Sequence, residues 1–367
     1  MKKICIVVGA RPNFVKVAPL IRAIQKSGGA TYQLVYAGRE DDPTLEGSLF
    51  DDLQMPRPDI YLGVVSQSLN EITAQVMGAF DRYLDGHPAD VVIVVDDLAS
   101  TMAAAITAKK RGVKLAHLVA GTRSFDISMP KEVNRLVIDA LSDYLFTAGV
   151  KSTGVATREQ ADGNNTYMVG NILMDSLRYN LPRFCKPDIG VDEGGYIVLT
   201  LNRRALLSDE ESLQQMLQAI AEAAGGVPVI APLRDSALGV VFRLLSTQRR
   251  EDVKGGEEST FVLHASLPYL EFGWLTAHAL GIITDSGNVA EEATFNGVPC
   301  ITLNSYTEHQ ETVTVGTNVL VGGDVAKLRD AVANMVNGQW KKSALPDRWD
   351  GRTAERIVQI LGERVRA

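Results

Sequence analysis

Short apolar runs alternate with amphipathic stretches from one end of this chain to the other, and that alternation restricts the fold more than any other feature. Residues 4–8, Ile-Cys-Ile-Val-Val, read as a buried strand, 14–25 as a helix, and 33–37 as the next strand. Residues 68–84 predict a long helix with Ile72, Val76, Phe80 and Leu84 on one face. Residues 91–95 are apolar at every position, as a strand covered on both faces of a parallel sheet must be. An Ala-rich helix over 100–110 follows, then strands over 115–119, 144–147 and 167–169. Residues 181–195, rich in proline and glycine, read as a linker. The pattern then restarts with strands over 196–201, 227–231, 261–263, 281–284 and 300–303. The expected fold is α/β, with two doubly wound Rossmann-like domains, 1–180 and 181–351. A last helix over 352–367 is expected to pack back on the first domain. Ligands of such domains bind outside the carboxyl ends of the strands.

Composition agrees with two cores: 367 residues, 46% hydrophobic and 22% charged. The net charge of -7 speaks against a nucleic-acid partner, so local cations and helix N-termini must meet any anionic ligand. Cys5, Cys185 and Cys300 are scattered, no Cys/His cluster has zinc spacing, and neither a metal nor a cofactor is expected. The apolar stretch after Met1-Lys2-Lys3 is too short for a signal peptide, and no run approaches the ~20 residues of a membrane span. A cytoplasmic enzyme is expected.

The chemistry-bearing residues cluster just after the strands. Gly9-Ala10-Arg11-Pro12-Asn13 offers a close backbone approach, a guanidinium at a helix start, and Lys16 one turn on, a place for an anion or simply a strand–helix turn. Asp96 and Asp97 end the next strand; one could cap the helix near Ser100 and the other act as acid/base or hydroxyl ligand. His117 reads as a satisfied core histidine, whereas Gly121 and Arg123 suit the ligand. Glu132 and Arg135 lie on the first turns of a helix opened by Pro130-Lys131. In the second half, Asn202-Arg203-Arg204 puts two guanidiniums at a strand end, which favours a phosphate. Ser286, Gly287 and Asn288 form an anion nest opening a helix whose Glu292 could hold a ribose diol.

These segments occur in a specific order: Gly9-Ala10-Arg11-Pro12, Asp97, Ala120-Gly121-Thr122-Arg123, Glu132 with Asn134 and Arg135, Asp285-Ser286-Gly287, Glu291-Glu292-Ala293, Glu311 and Gly316-Thr317. Together they resemble the non-hydrolysing UDP-N-acetylglucosamine 2-epimerases. The resemblance implies the GT-B architecture, a UDP-sugar in the interdomain cleft, and a homodimer. It also implies elimination of UDP across C1–C2 followed by re-addition with C2 inverted. Departures from the family concentrate in the acid/base groups. Val119, Lys131 and Asn202 stand where the family has glutamate, glutamate and histidine; His309 stands for a diphosphate-clamping arginine and Arg234 for a second histidine. Asp97 alone of the principal acid/base groups is kept.

Three functions follow as expectations. An epimerase could use Asp97 with Lys131, Glu132 or His309. A group-transfer enzyme could use one base, with Arg11, Arg203, Arg204 and Arg234 stabilising the leaving phosphate. The third is a sugar-nucleotide binder without turnover.

Overall fold

A computed structural model of the chain describes residues 2–45, 47–159, 165–251 and 260–365; positions 366 and 367 of the expected last helix lie outside them. The chain folds as two compact units, Met1–Asn180 with Asp347–Ala367, and Leu181–Pro346.

The first unit holds seven strands: β1 (Lys2–Val8), β2 (Ala30–Tyr36), β3 (Ile60–Tyr61), β4 (Val91–Val95), β5 (Lys114–Ala120), β6 (Tyr144–Thr147) and β7 (Thr166–Met168). Its helices are α1 (Arg11–Ser27), α2 (Gly47–Leu53), α3 (Leu69–Gly86), α4 (Ala99–Lys110), α5 (Pro130–Leu141), α6 (Val150–Glu159) and α7 (Ile172–Asn180). The strands pair in parallel in the order β3-β2-β1-β4-β5-β6-β7. Every residue of β4 is buried, which is why its sequence never alternates. The Ala-rich α4 lets the layers approach closely: Ala103, Ala104, Ala105 and Ala108 are fully buried in the core with Val92, Val94 and Phe80.

The second unit holds β8 (Ile197–Thr200), β9 (Val229–Leu233), β10 (Phe261–Ala265), β11 (Gly281–Thr284), β12 (Cys300–Thr302) and β13 (Asn318–Leu320). Its helices are α8 (Arg204–Ser208), α9 (Glu210–Ala224), α10 (Asp235–Glu251), α11 (Tyr269–Ala277), α12 (Gly287–Asn296), α13 (Glu311–Thr314) and α14 (Val325–Val336). The strand order is β10-β9-β8-β11-β12-β13, again all parallel.

The last helix, α15 (Thr353–Arg364), belongs to the first unit and packs on α1 and α7. The Asp175 carboxylate accepts hydrogen bonds from the Thr353 and Ala354 amides at 3.0 and 2.8 Å and so satisfies the α15 N-terminus. Before it, the fully buried Trp349 donates its indole N–H to the Ala148 carbonyl at 3.0 Å. In both sheets the order reverses beside the first strand of the unit, between β1 and β4 and between β8 and β11. These switch points leave a crevice at the carboxyl edge.

Candidate active site

At the first switch point, Asn13 closes the turn after β1. Its Oδ1 accepts from the Gly9 and Ala10 amides at 2.9 and 3.2 Å, and its Nδ2 donates to Asp96 Oδ2 at 2.7 Å. Lys16 Nζ lies 2.6 Å from the other Asp96 oxygen. Gly9 is required here, because a Cβ would stand 2.0 Å from Ser100 Oγ. A hollow of about 470 Å³ opens at this edge, lined by Gly9, Tyr36, Arg39, Val64, Leu98 and Ser100 among others.

Asp97 follows directly. Its Oδ2 accepts from Arg135 Nε and Nη2 at 2.7 and 2.6 Å, and its side chain keeps 21% of its surface exposed. Arg135 Nη1 also donates to Glu132 at 3.0 Å. Glu132, 2% exposed, further accepts from the Ser124 amide and hydroxyl, both at 2.9 Å, and the Phe125 amide at 3.0 Å. Burial alone would raise the Glu132 pKa, but these donors hold it below the usual carboxylate range.

Between these groups the backbone is strained. Asp96 has φ 58° and Val119 φ 73°, where the β5–β6 register slips between Leu118 and Ala120. A β-branched residue in the left-handed region costs about 1–3 kcal/mol, so the surroundings must impose it. A buried polar network is at hand to do so. His117 Nδ1 donates to Asp139 Oδ1 at 2.5 Å and Nε2 to the Asp96 carbonyl at 2.9 Å. Asp139 Oδ2 accepts from the Gly121 amide at 3.0 Å and lies 2.7 Å from Arg123 Nη2, which also bonds Glu159. Burial pushes Asp139 up, and His117 and Arg123 pull it below the ordinary carboxylate range. Gly121, φ 73°, packs so tightly that a Cβ would stand 2.1 Å from the Ser152 carbonyl.

At the second switch point, the Asp285 carboxylate accepts from the Asn202 amide at 2.8 Å and the Arg203 amide at 2.7 Å, tying the loop after β8 to that after β11. Asn202, Arg203, Arg204 and Arg234 are exposed at strand ends. Ser286 is the N-cap of α12 and its side chain makes no cap bond. Gly287 and Asn288 begin that helix, half-buried, with the His309 ring alongside: a Cβ on Gly287 would lie 3.6 Å from His309 Cδ2. His309 Nδ1 is 2.9 Å from the buried Glu291 Oε1. Glu292, 9% exposed, is pushed up to about 8, by burial first and by the Glu291 charge second.

Several expectations need correction. Neither Asp96 nor Asp97 caps α4; Leu98 is its N-cap, with Thr101 Oγ1 accepting from the Leu98 amide at 3.0 Å. Lys16 is buried and paired with Asp96. Arg123 has a side chain 1% exposed and is paired with Asp139 and Glu159. Glu132 and Arg135 are likewise committed to the Asp97 network. Arg11 is half-buried and makes no hydrogen bond or ion pair among the described residues. Lys131 is half-buried on α5. Sequence reasoning missed Asp139, whose one signal was a carboxylate in a helix of the unit that also carries the buried His117.

Comparison with known proteins agrees with this layout. The family model described as UDP-N-acetylglucosamine 2-epimerase matches residues 22–362. The chain belongs to that family. The Methanocaldococcus jannaschii UDP-N-acetylglucosamine 2-epimerase is 32% identical over 98% of each chain. A Pseudomonas aeruginosa relative, UDP-2,3-diacetamido-2,3-dideoxy-D-glucuronate 2-epimerase, is 30% identical over 98% of this chain and 99% of its own. The crystal structure of the M. jannaschii enzyme in complex with UDP-GlcNAc and UDP superposes with a TM-score of 0.83, covering 98% of this chain and 99% of that one. The Neisseria meningitidis enzyme, 24% identical with TM-score 0.85 and coverage of 98% and 99%, shares the fold. The fold class of this epimerase-family member is therefore GT-B, two doubly wound α/β domains. Among the described residues no helix is long and apolar enough to cross a membrane.

Proposed function

We propose that this chain binds a UDP-sugar and acts at its anomeric C–O–phosphate bond, with the proton chemistry of the epimerase family altered. The family match and the two UDP-sugar epimerases at 30% identity or more support the ligand class. One observation carries the altered chemistry: at the carboxyl edge of the first sheet, Asp97 is a part-exposed carboxylate, while its neighbour Asp96 is paired with Lys16, residue 119 is valine and Glu132 is saturated with donors. Inverting C2 through elimination requires a proton removed from one face and returned to the other, so it needs two groups. Asp97 supplies one. Breaking C1–O needs a single acid/base group and cations for the departing diphosphate. Arg11, Arg203, Arg204, Arg234 and the α12 start at Ser286, Gly287 and Asn288 have the right chemistry, and Glu292 suits a ribose hydroxyl. The same residues fit transfer to an acceptor hydroxyl whose proton Asp97 takes. The reading carries with it the homodimer that the resemblance implies.

A second reading, a binder without turnover, is favoured by the commitment of Glu132 to the scaffold. Positional isotope exchange separates the two. UDP-N-acetylglucosamine labelled with ¹⁸O in the sugar–phosphate bridge is incubated with the protein, and scrambling is followed by ³¹P NMR. The first reading expects scrambling in the wild type and a loss of about 10²-fold or more in Asp97→Asn, with an unchanged circular dichroism spectrum. Undiminished scrambling in Asp97→Asn removes that residue from the chemistry. Thermal stabilisation by UDP without scrambling supports the binder.

A further inference from the structure

Asp97 stands on a turn whose polar atoms are held from several sides. The residue before it, Asp96, sits at φ 58°, and its carboxylate accepts from Asn13 Nδ2 at 2.7 Å and Lys16 Nζ at 2.6 Å. On the other side, the Asp97 carbonyl accepts from Asn134 Nδ2 at 2.8 Å. Between these anchors lies the peptide that joins Asp96 to Asp97. It is a rigid plane, so the direction of the Asp96 carbonyl and the position of the Asp97 Cα are set together. Among the described residues that carbonyl accepts one hydrogen bond, from His117 Nε2 at 2.9 Å. A carbonyl only accepts, so Nε2 carries a proton, and the ring is aimed through its other nitrogen: Nδ1 lies 2.5 Å from Asp139 Oδ1. The His117 and Asp139 side chains are 1% and 4% exposed, beyond the reach of a ligand, whereas Asp97 keeps 21% of its side-chain surface open. Asn134, Arg135 and Asp139 all belong to α5. That helix therefore holds Asp97 directly through the first two and indirectly through Asp139 and His117.

Resting on the reading of Asp97 as the acid/base group, we infer that His117 is a positioning residue for it: by holding the Asp96 carbonyl, the buried imidazole keeps the turn in the conformation that sets the Asp97 carboxylate on Arg135. Aspartate tolerates the left-handed region better than most residues, yet it still gains by leaving it. Once the carbonyl is released, Asp96 relaxes, the peptide plane turns and Asp97 moves with it. A displacement on the order of 1 Å at a reacting group costs about 10²-fold in rate. A histidine that only filled the core would leave the placement of Asp97 untouched.

Two substitutions separate the two contacts of the ring. A glutamine amide reaches as far as Nε2 and can donate to the Asp96 carbonyl; an asparagine amide reaches only as far as Nδ1 and keeps the Asp139 contact alone. Crystal structures of the full-length variants should show Asp97 on Arg135 in His117→Gln. In His117→Asn they should show Asp96 out of the left-handed region and Asp97 displaced. His117→Phe, with a ring's volume and no donor, is a second variant without the bond and should match His117→Asn. In positional isotope exchange with UDP-N-acetylglucosamine, His117→Asn should lose about 10²-fold in scrambling at unchanged affinity for UDP, and His117→Gln should recover most of that loss. Asp97 in its wild-type place in both His117→Asn and His117→Phe, or scrambling that falls in all three variants in step with melting temperature, overturns the inference and leaves the reading of Asp97 standing. The expected displacement in crystals, with no scrambling even in the wild type, supports the positioning role and overturns that reading instead.

Discussion

Asp139 and Asp97 both end on an arginine, yet the two pairs do different work. Asp139 is 3% exposed and serves two buried partners, His117 and Arg123, at 2.5 and 2.7 Å. Removing it leaves Arg123 to Glu159 and His117 to the Asp96 carbonyl, both without their buried carboxylate, so Asp139→Ala should destabilise the first unit by about 3 kcal/mol, read by urea denaturation, while Asp97→Ala, at a part-exposed pair, should cost far less. Equal losses would contradict the assignment of one pair to the scaffold and the other to the chemistry. Much of this scale was legible in advance: Gly9, Asp97, His117 and Ser286 announce themselves by standing just after or within apolar runs. What remained hidden was partnership. That Lys16 belongs to Asp96, and Arg123 to Asp139 and Glu159, depends on side chains brought together from distant segments. No local pattern encodes that, and a cation at a strand end looks the same whether it serves a ligand or a carboxylate.

Among the elements, most strands were readable, short β7 and β12 included, and two of the short ones were not. β3 has two residues and β13 three, mostly half-buried, too little pattern for a period to show. β9 begins at Val229, not 227, because the run 227–231 includes the turn that closes on Ala224, where the Val227 amide donates at 2.9 Å. The strained junction at Val119 was equally invisible, since nothing in a valine predicts a positive φ. α15 shows how one element depends on another. Burial pushes Asp175 up to about 6 although two α15 amides donate to it. Its pKa is thus higher folded than unfolded, so its contribution is greatest below the ordinary aspartate value and is lost as pH rises through about 6. The melting temperature of the wild type relative to Asp175→Asn should therefore rise as pH falls from about 6.5 to about 4; a difference independent of pH would show that Asp175 does not titrate there.

The whole molecule combines a continuous unit with a discontinuous one. Leu181–Pro346 carries its complete sheet and cores within one segment, whereas the first unit borrows Trp349, Ile357 and Leu361 from the far end of the chain. A chain ending at Pro346 should keep the unfolding transition of the second unit and lose several kcal/mol from that of the first, by the cost of uncovering large buried side chains. Two unshifted transitions in calorimetry would refute that dependence. The account as a whole rests on a kept UDP-sugar cradle with altered proton transfer. Its most direct test is ¹H NMR of UDP-N-acetylglucosamine in D₂O, with the protein at saturating ligand. The account predicts binding with no deuterium at C2 in the wild type, and its appearance once Val119→Glu, Lys131→Glu and Asn202→His are introduced together. Wild-type deuteration at C2 as fast as that by the M. jannaschii relative would contradict it.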